Sequence, residues 1–257
     1  MERRVSQKRK MDDGAKTSPS KKPRSFTNLF DSVVQIKVGP KGELFEVHKG
    51  LLLHYSGYFK CALSGRFKEA HENIIVLETE DVAIFELFFT WIYKDAIAKQ
   101  EKQLPLALGI ECNTPNNLMG LYAFADGRRI PRLCNAVAVM IRDNQKILSH
   151  QDKLTFFTEC VSQIRKELPL RQLLIDLCVY ADTLLGWRPA NHPNDFVTDV
   201  FNSLYAKWMA DAGKDRVLKI MHSVWKNGKV NDSSLSRFKG VAPFEEKITQ
   251  YFLPETN

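Results

Sequence analysis

The densest group of metal-ligand residue types in the chain is His48, His54 and Cys61, six and seven positions apart. A zinc site needs ligands that converge, usually as two close pairs. No second pair completes this set, so the three are read as structural or surface residues. His48 sits between Val47 and Lys49, and its expected work is packing and hydrogen bonding at a hairpin end, not proton transfer. A second cluster is Glu78, Glu80 and Asp81. Paired acids can do acid–base chemistry. Negative charge directly ahead of a helical apolar stripe also stabilises the helix start, and capping is the expectation here. The phosphate-cradle patterns G-x-x-x-x-G-K-S/T and G-x-G-x-x-G do not occur, nor does the nucleophile elbow G-x-S-x-G. The reading is a non-enzyme: catalytic residues, a cofactor and a metal are not expected.

The remaining sharp chemical signal is charge. Residues 1–25 hold nine of the 37 Lys and Arg residues and three of the 30 Asp and Glu residues. The rest of the chain is therefore near neutral and lacks a broad field for phosphate backbones. Lys8-Arg9-Lys10, ten further residues and Lys21-Lys22-Pro23-Arg24 have the form of a bipartite nuclear localisation signal. Two basic clusters on one tether can each find an acidic groove, and the first contact raises the effective concentration of the second. Importin is the expected tail partner. Weak nucleic-acid contact and a merely solvated tail are the alternatives. The expected location is nucleus and/or cytoplasm. Residues 1–25 are nearly devoid of large apolar side chains and are expected to be disordered. They precede no apolar run, so a secretory leader is not expected, and no stretch is long and apolar enough to suggest a membrane span. The cysteines Cys61, Cys112, Cys134, Cys160 and Cys178 are scattered without a C-x-x-C pair. They are read as reduced, small apolar residues.

Hydrophobic residues make up 44% of the chain and charged residues 26%, enough to build a core. Val33–Val38 and Leu44–Lys49 flank Gly39-Pro40-Lys41-Gly42 and predict a β-hairpin. Two short helices follow, broken at Ser56-Gly57, then a loop or turn over Gly65–Ala70 and a third strand over Asn73–Leu77. Asp81 precedes Val82, Phe85, Phe88, Phe89 and Ile92, which form one helical stripe. Phe85, Phe89 and Ile92 are expected to face inward, with Trp91 turned toward the helical extension or a partner. Residues 95–116 are read as an irregular connection. Helices follow at 117–128 and 131–142, then at about 151–166, 169–186 and 194–211, with a weaker one at 214–226. Phe201, Leu204, Tyr205 and Trp208 are taken as core residues of the 194–211 helix. The order excludes alternating βαβ units and predicts an α+β fold.

Several short phrases resemble the BTB/POZ family, especially its fungal branch. Phe45-Glu46-Val47-His48-Lys49 is similar to F-x-V-H-K, and Ser56-Gly57-Tyr58-Phe59 to S-x-Y-F. Phe67-Lys68-Glu69-Ala70 resembles the F-x-E-A turn. Phe89-Thr90-Trp91-Ile92-Tyr93 resembles the end of the family's F-x-x-x-L-x-W-x-Y helix, Leu121–Asp126 its L-Y-x-x-A-D and Leu133-Cys134-Asn135 its L-x-N. The resemblance implies a small mixed sheet flanked by helices, closed by an all-helical C-terminal extension. It implies protein–protein interaction: self-association as a homodimer, formed by burying apolar helix faces of two chains, and recruitment of other proteins. A cullin of a ubiquitin ligase is one such partner in the family. It also makes Asp31 and Lys49 candidate charges of a pocket near a dimer axis. Where cullin-binding relatives carry an acid, this chain has Asn117-Leu118-Met119-Gly120-Leu121. The expected organisation is a tail at 1–25, a BTB/POZ domain at 26–143, a helical extension at 144–212 and a helical or irregular segment at 213–257.

Overall fold

The computed structural model of the chain describes residues 29–30, 32–65, 67–100, 114–144, 148–165, 167–180, 194–209, 219 and 248–254. The basic clusters at Lys8, Arg9, Lys10, Lys21, Lys22 and Arg24, together with Asp31 and Cys112, lie outside these residues, as does the 214–226 helix apart from residue 219.

Strands β1 (Val33–Val38) and β2 (Glu43–His48) pair antiparallel, with Val34 opposite Val47 and Ile36 opposite Phe45. Their turn works because Gly39 and Gly42 take φ of 72° and 68°, which a side chain would resist, and Gly42 N–H donates to Gly39 O at 3.0 Å. Strand β3 (Ile74–Leu77) lies parallel to β1 on its other side, so the order is β2-β1-β3 and the sheet is mixed. A parallel pair needs a crossover. Helices α1 (Lys49–Tyr55), α2 (Gly57–Ala62) and α3 (Lys68–Glu72) lie within it. The last corrects the loop expected at Gly65–Ala70. Phe67 enters in extended conformation, Ala70 N–H donates back to Phe67 O, and Asn73 ends the helix in the left-handed region, which asparagine tolerates.

Helix α4 (Val82–Gln100) starts as expected: Asp81 Oδ1 accepts the Ala83 N–H at 2.7 Å. It also replaces the irregular connection expected from residue 95, because Asp95 and Ala96 are both buried and carry the inward face onward. Phe88, not Phe89, is fully buried beside Phe85 and Ile92. Phe89 is partly buried and covers the hairpin through Phe45, 5.9 Å between ring centres. Trp91 does not turn outward. It is buried edge-on against Tyr55 at 5.4 Å.

Helices α5 (Pro115–Gly127), α6 (Pro131–Asn144), α7 (His150–Ser162), α8 (Pro169–Tyr180) and α9 (Asn194–Met209) follow, then a 3-10 turn at Ile248–Tyr251. Helix α5 begins two residues earlier than expected. Thr114 accepts the Asn117 N–H, and Pro115 fits the first turn, where its missing N–H costs nothing. Gly120 lets α5 approach α4, since a Cβ there would lie 2.7 Å from Ile84 Cδ1. Helix α5 packs on α4, α6 and α7, and α8 packs on α6, α7 and α9. One apolar cluster therefore runs from Val34 in the sheet to Leu204 in α9. In α9 the buried row is Phe196, Val200 and Leu204, with Phe201 partly buried. The side chains of Tyr205 and Trp208 lie outside the described residues.

Cys134, Cys160 and Cys178 are free and buried among apolar groups, as expected, whereas Cys61 is exposed. Burial pushes the Cys134 thiol up to about 12 and raises those of Cys160 and Cys178 as well. In the unfolded chain these thiols ionise near 9.0, so the folded state holds protons that the unfolded state releases. The stability they contribute is complete below pH 9 and is lost as pH rises through that window toward 12. The urea midpoint of the reduced chain should fall steadily from about pH 8.5 to about pH 10.5, whereas a flat midpoint would contradict the burial of these thiols.

Candidate interaction surface

The residues singled out in the sequence gather at two corners of the domain. At the first, the hairpin runs into α1. The backbone N–H of His48 donates to Tyr93 Oη at 3.1 Å, and its Nδ1 lies 2.8 Å from the same hydroxyl. The Phe30 ring meets the imidazole edge-on at 5.2 Å. His48 thus binds the hairpin end to α4, as its sequence context suggested. Lys49 Nζ donates to Asn73 Oδ1 at 3.2 Å, and its N–H donates to Ser32 O at 2.7 Å. It stitches α1 to the start of β3, and its suggested counter-charge Asp31 lies outside the described residues. Phe45 packs against Phe85 at 4.8 Å.

At the second corner the α5–α6 turn docks on α2. Ser56 Oγ accepts the Phe59 N–H at 3.2 Å and donates to Arg128 O at 2.7 Å. The N–H groups of Gly57 and Tyr58 donate to Arg129 O and Arg128 O. Arg129 takes φ of 53° to present these carbonyls, and a Cβ on Gly57 would meet Arg129 Cβ at 3.1 Å. The Arg128 guanidinium lies over the Tyr58 ring at 5.0 Å and the Phe124 ring at 5.1 Å, and it pairs with Glu80. Glu80 therefore does not cap α4. Asp81 alone does so, and Glu80 anchors the turn. Ser56, Tyr58 and Phe59 are the receptor for that turn, which gives their spacing a packing reason.

Asp126 joins the domain to the helices that follow, pairing with Arg165 at 2.6 Å. Arg165 is largely exposed, so this pair adds at most about 1 kcal/mol. Glu69 sits in the first turn of α3, where a carboxylate complements the helix end.

Two polar networks had no clear sequence signature. Asp95 is buried and accepts from Tyr55 Oη at 2.7 Å and from Arg132 Nε and a terminal nitrogen at 2.8 and 2.9 Å. Arg171 is buried, pairs with Asp195 and Asp199, and donates to the carbonyls of Val161 and Ile164 at the end of α7. Next to Arg171 is a polar cleft of about 400 Å³ between α8 and α9. Asp176 lines it and accepts from Gln172 and Ser203. Arg171 with Asp199, and Asp176 with Gln172 and Ser203, tie α8 to α9, and the Arg171 bonds to Val161 and Ile164 tie α8 to the end of α7. Among the described residues no three His, Cys, Asp or Glu side chains converge as metal ligands.

The large apolar side chains left exposed among the described residues sit mainly on the sheet. Leu44 and Val76 flank Lys37 on neighbouring strands, and residues directly opposite in a ladder share a face. Leu44 is 54% exposed, Val76 52% and Val33, two positions from Gln35 on the same face, 48%. Phe67, ahead of α3, is 54% exposed. Among the described helix residues only Tyr58 is a large, exposed apolar side chain. The outer sheet face, which also carries Gln35, Lys37 and Glu46, is therefore a candidate surface for a partner. That face was legible as alternation but not as exposure, because the period-two pattern does not say which side is covered.

In comparisons with known proteins, residues 21–111 match the model of the BTB/POZ domain. No curated protein matches the chain. The matched segment ends inside the region between α4 and α5, although α5 and α6 share its core.

Proposed function

From the premise that the chain carries a BTB/POZ domain, a protein–protein interaction module with a helical C-terminal region, we propose that it is a scaffold that self-associates as a homodimer and recruits other proteins in the nucleus. The observation that carries this reading is the outer sheet face. Leu44, Val76 and Val33 are large, exposed and on one surface, and a monomer gains nothing from leaving them in water. A two-fold contact between identical patches buries them on both chains at once. We further propose the organisation given above: tail 1–25, domain 26–143, extension 144–212 and terminal segment 213–257.

Two differently tagged copies of the full chain, expressed together, test the reading. Capture of one is expected to recover the other, and Leu44→Glu with Val76→Glu is expected to abolish recovery while leaving the near-ultraviolet circular dichroism of the fold in place. Recovery unaffected by both substitutions would overturn the sheet face as the contact. Recovery of a cullin in the same capture would favour a ubiquitin-ligase adaptor. The nuclear location rests on the tail: a chain lacking residues 1–25 is expected to lose importin binding and redistribute to the cytoplasm. An unchanged distribution would remove importin from the account, and nucleic-acid binding that vanishes with the same deletion would favour the nucleic-acid reading of the tail.

A further inference from the structure

Near its end the chain returns to its own core. The 3-10 turn at Ile248–Tyr251 packs against α6 and α8, and Phe252 and Leu253 are half-buried against the apolar cluster. The contact is read by one side chain. Asn135, on the second turn of α6 and only 5% exposed, donates from Nδ2 to Leu253 O at 3.0 Å and accepts the Leu253 N–H on Oδ1 at 2.8 Å. An amide that both donates to and accepts from one residue's backbone does what a neighbouring β-strand does. It recognises an extended main chain and is indifferent to that residue's side chain. Side-chain selectivity is left to the apolar cluster against which Phe252 and Leu253 pack. Pro254 follows, and with no N–H it asks for no further donor bond.

We propose that the seam between α6 and α8 is a docking site for a short extended peptide of the form aromatic-leucine-proline, and that Phe252-Leu253-Pro254 fills it in cis as a pseudo-ligand. The 38 positions from 210 to 247 separate this segment from α9. Departure opens the Asn135 amide, whose two bonds then pass to water or to another extended main chain. The cis segment, at high local concentration, holds the site against weak ligands and yields to a trans peptide of the same chemistry.

The probe is a fluorescein-labelled peptide with the sequence of residues 248–257, titrated into full-length chains and followed by anisotropy. The wild type is expected to bind weakly. The Phe252→Ser, Leu253→Ser double variant, whose own segment has lost its apolar contacts with the core, is expected to bind at least tenfold more tightly. Adding Asn135→Leu to that double variant is expected to return binding to the weak level, with Asn135→Asp, which keeps the acceptor and loses the donor, falling between. Near-ultraviolet circular dichroism identifies any variant that has lost its fold, and the Asp form then carries the comparison. A double variant that binds no better than the wild type overturns the proposal. So does tight binding that is insensitive to both Asn135 substitutions.

Discussion

Replacing Asp95 by alanine is expected to lower the unfolding free energy by about 3 kcal/mol or more. The carboxylate is 3% exposed and receives three hydrogen bonds, one from Tyr55 in α1 and two from Arg132 in α6. Removing it takes three hydrogen bonds out of a buried site, and breaking one side of such an ion pair costs more than the intact pair contributes. Arg132 retains some exposure, 30% of its side chain, which keeps the figure at the lower end of the range for buried pairs. Asp95→Asn is expected to cost less, since its carbonyl still accepts from Tyr55. Urea denaturation of the two variants at neutral pH measures both. A loss below about 1 kcal/mol for the alanine variant would mean that the network is not buried as described. Because the network ties α1, α4 and α6, its disruption should also loosen the α6 face on which the terminal segment rests.

The second large effect is expected at Phe88. The ring is fully buried, with neighbours Phe124 at 5.0 Å, Phe85 at 5.5 Å and Phe59 at 6.2 Å. These come from α5, α4 and α2, so one side chain fills the space where three helices meet. Phe88→Ala is expected to cost about 3–5 kcal/mol, from the lost transfer energy and from a cavity that rigid aromatic neighbours cannot close. Phe89→Ala, one position on, is expected to cost clearly less, because that ring is only partly buried against Phe45 and Tyr93. Thermal melts of the two variants side by side decide the matter. Equal losses would show that the helix is rotated from the orientation described.

The contrast between Phe88 and Phe89 marks where sequence reasoning ended. The helix, its Asp81 cap and its apolar stripe were legible because they depend on neighbours a few positions away. Which of two adjacent phenylalanines is innermost depends on the hairpin and on α5, and both offer apolar surface to α4, so the stripe is wide and its centre ambiguous. Trp91 was misplaced for the same reason: Tyr55 makes a wall on a side that the stripe alone leaves open. The continuation of α4 through Asp95 was hidden because a carboxylate reads as surface until its partners, forty and thirty-seven positions away, are known. By contrast, Ser56, Tyr58 and Phe59 were recognised as a phrase before any cause was visible. The α5–α6 turn supplies that cause.

The same split holds for the candidate surface. The hairpin of Val33–Val38 and Leu44–Lys49 was legible, but not which of its two faces is covered. Only the placement of α4 beneath one of them revealed that Leu44 and Val76 remain in solvent. Asn135 was legible as the end of the Leu133-Cys134-Asn135 phrase but its use was not, since that depends on a main chain 118 positions away that engages both ends of its amide.

Light scattering on the purified full-length chain at micromolar concentration weighs the central claim directly. The account predicts a particle of twice the 29.5 kDa chain mass that falls to the single-chain mass when Leu44 and Val76 are both changed to glutamate. A wild-type chain that stays at 29.5 kDa across the concentration range would contradict it.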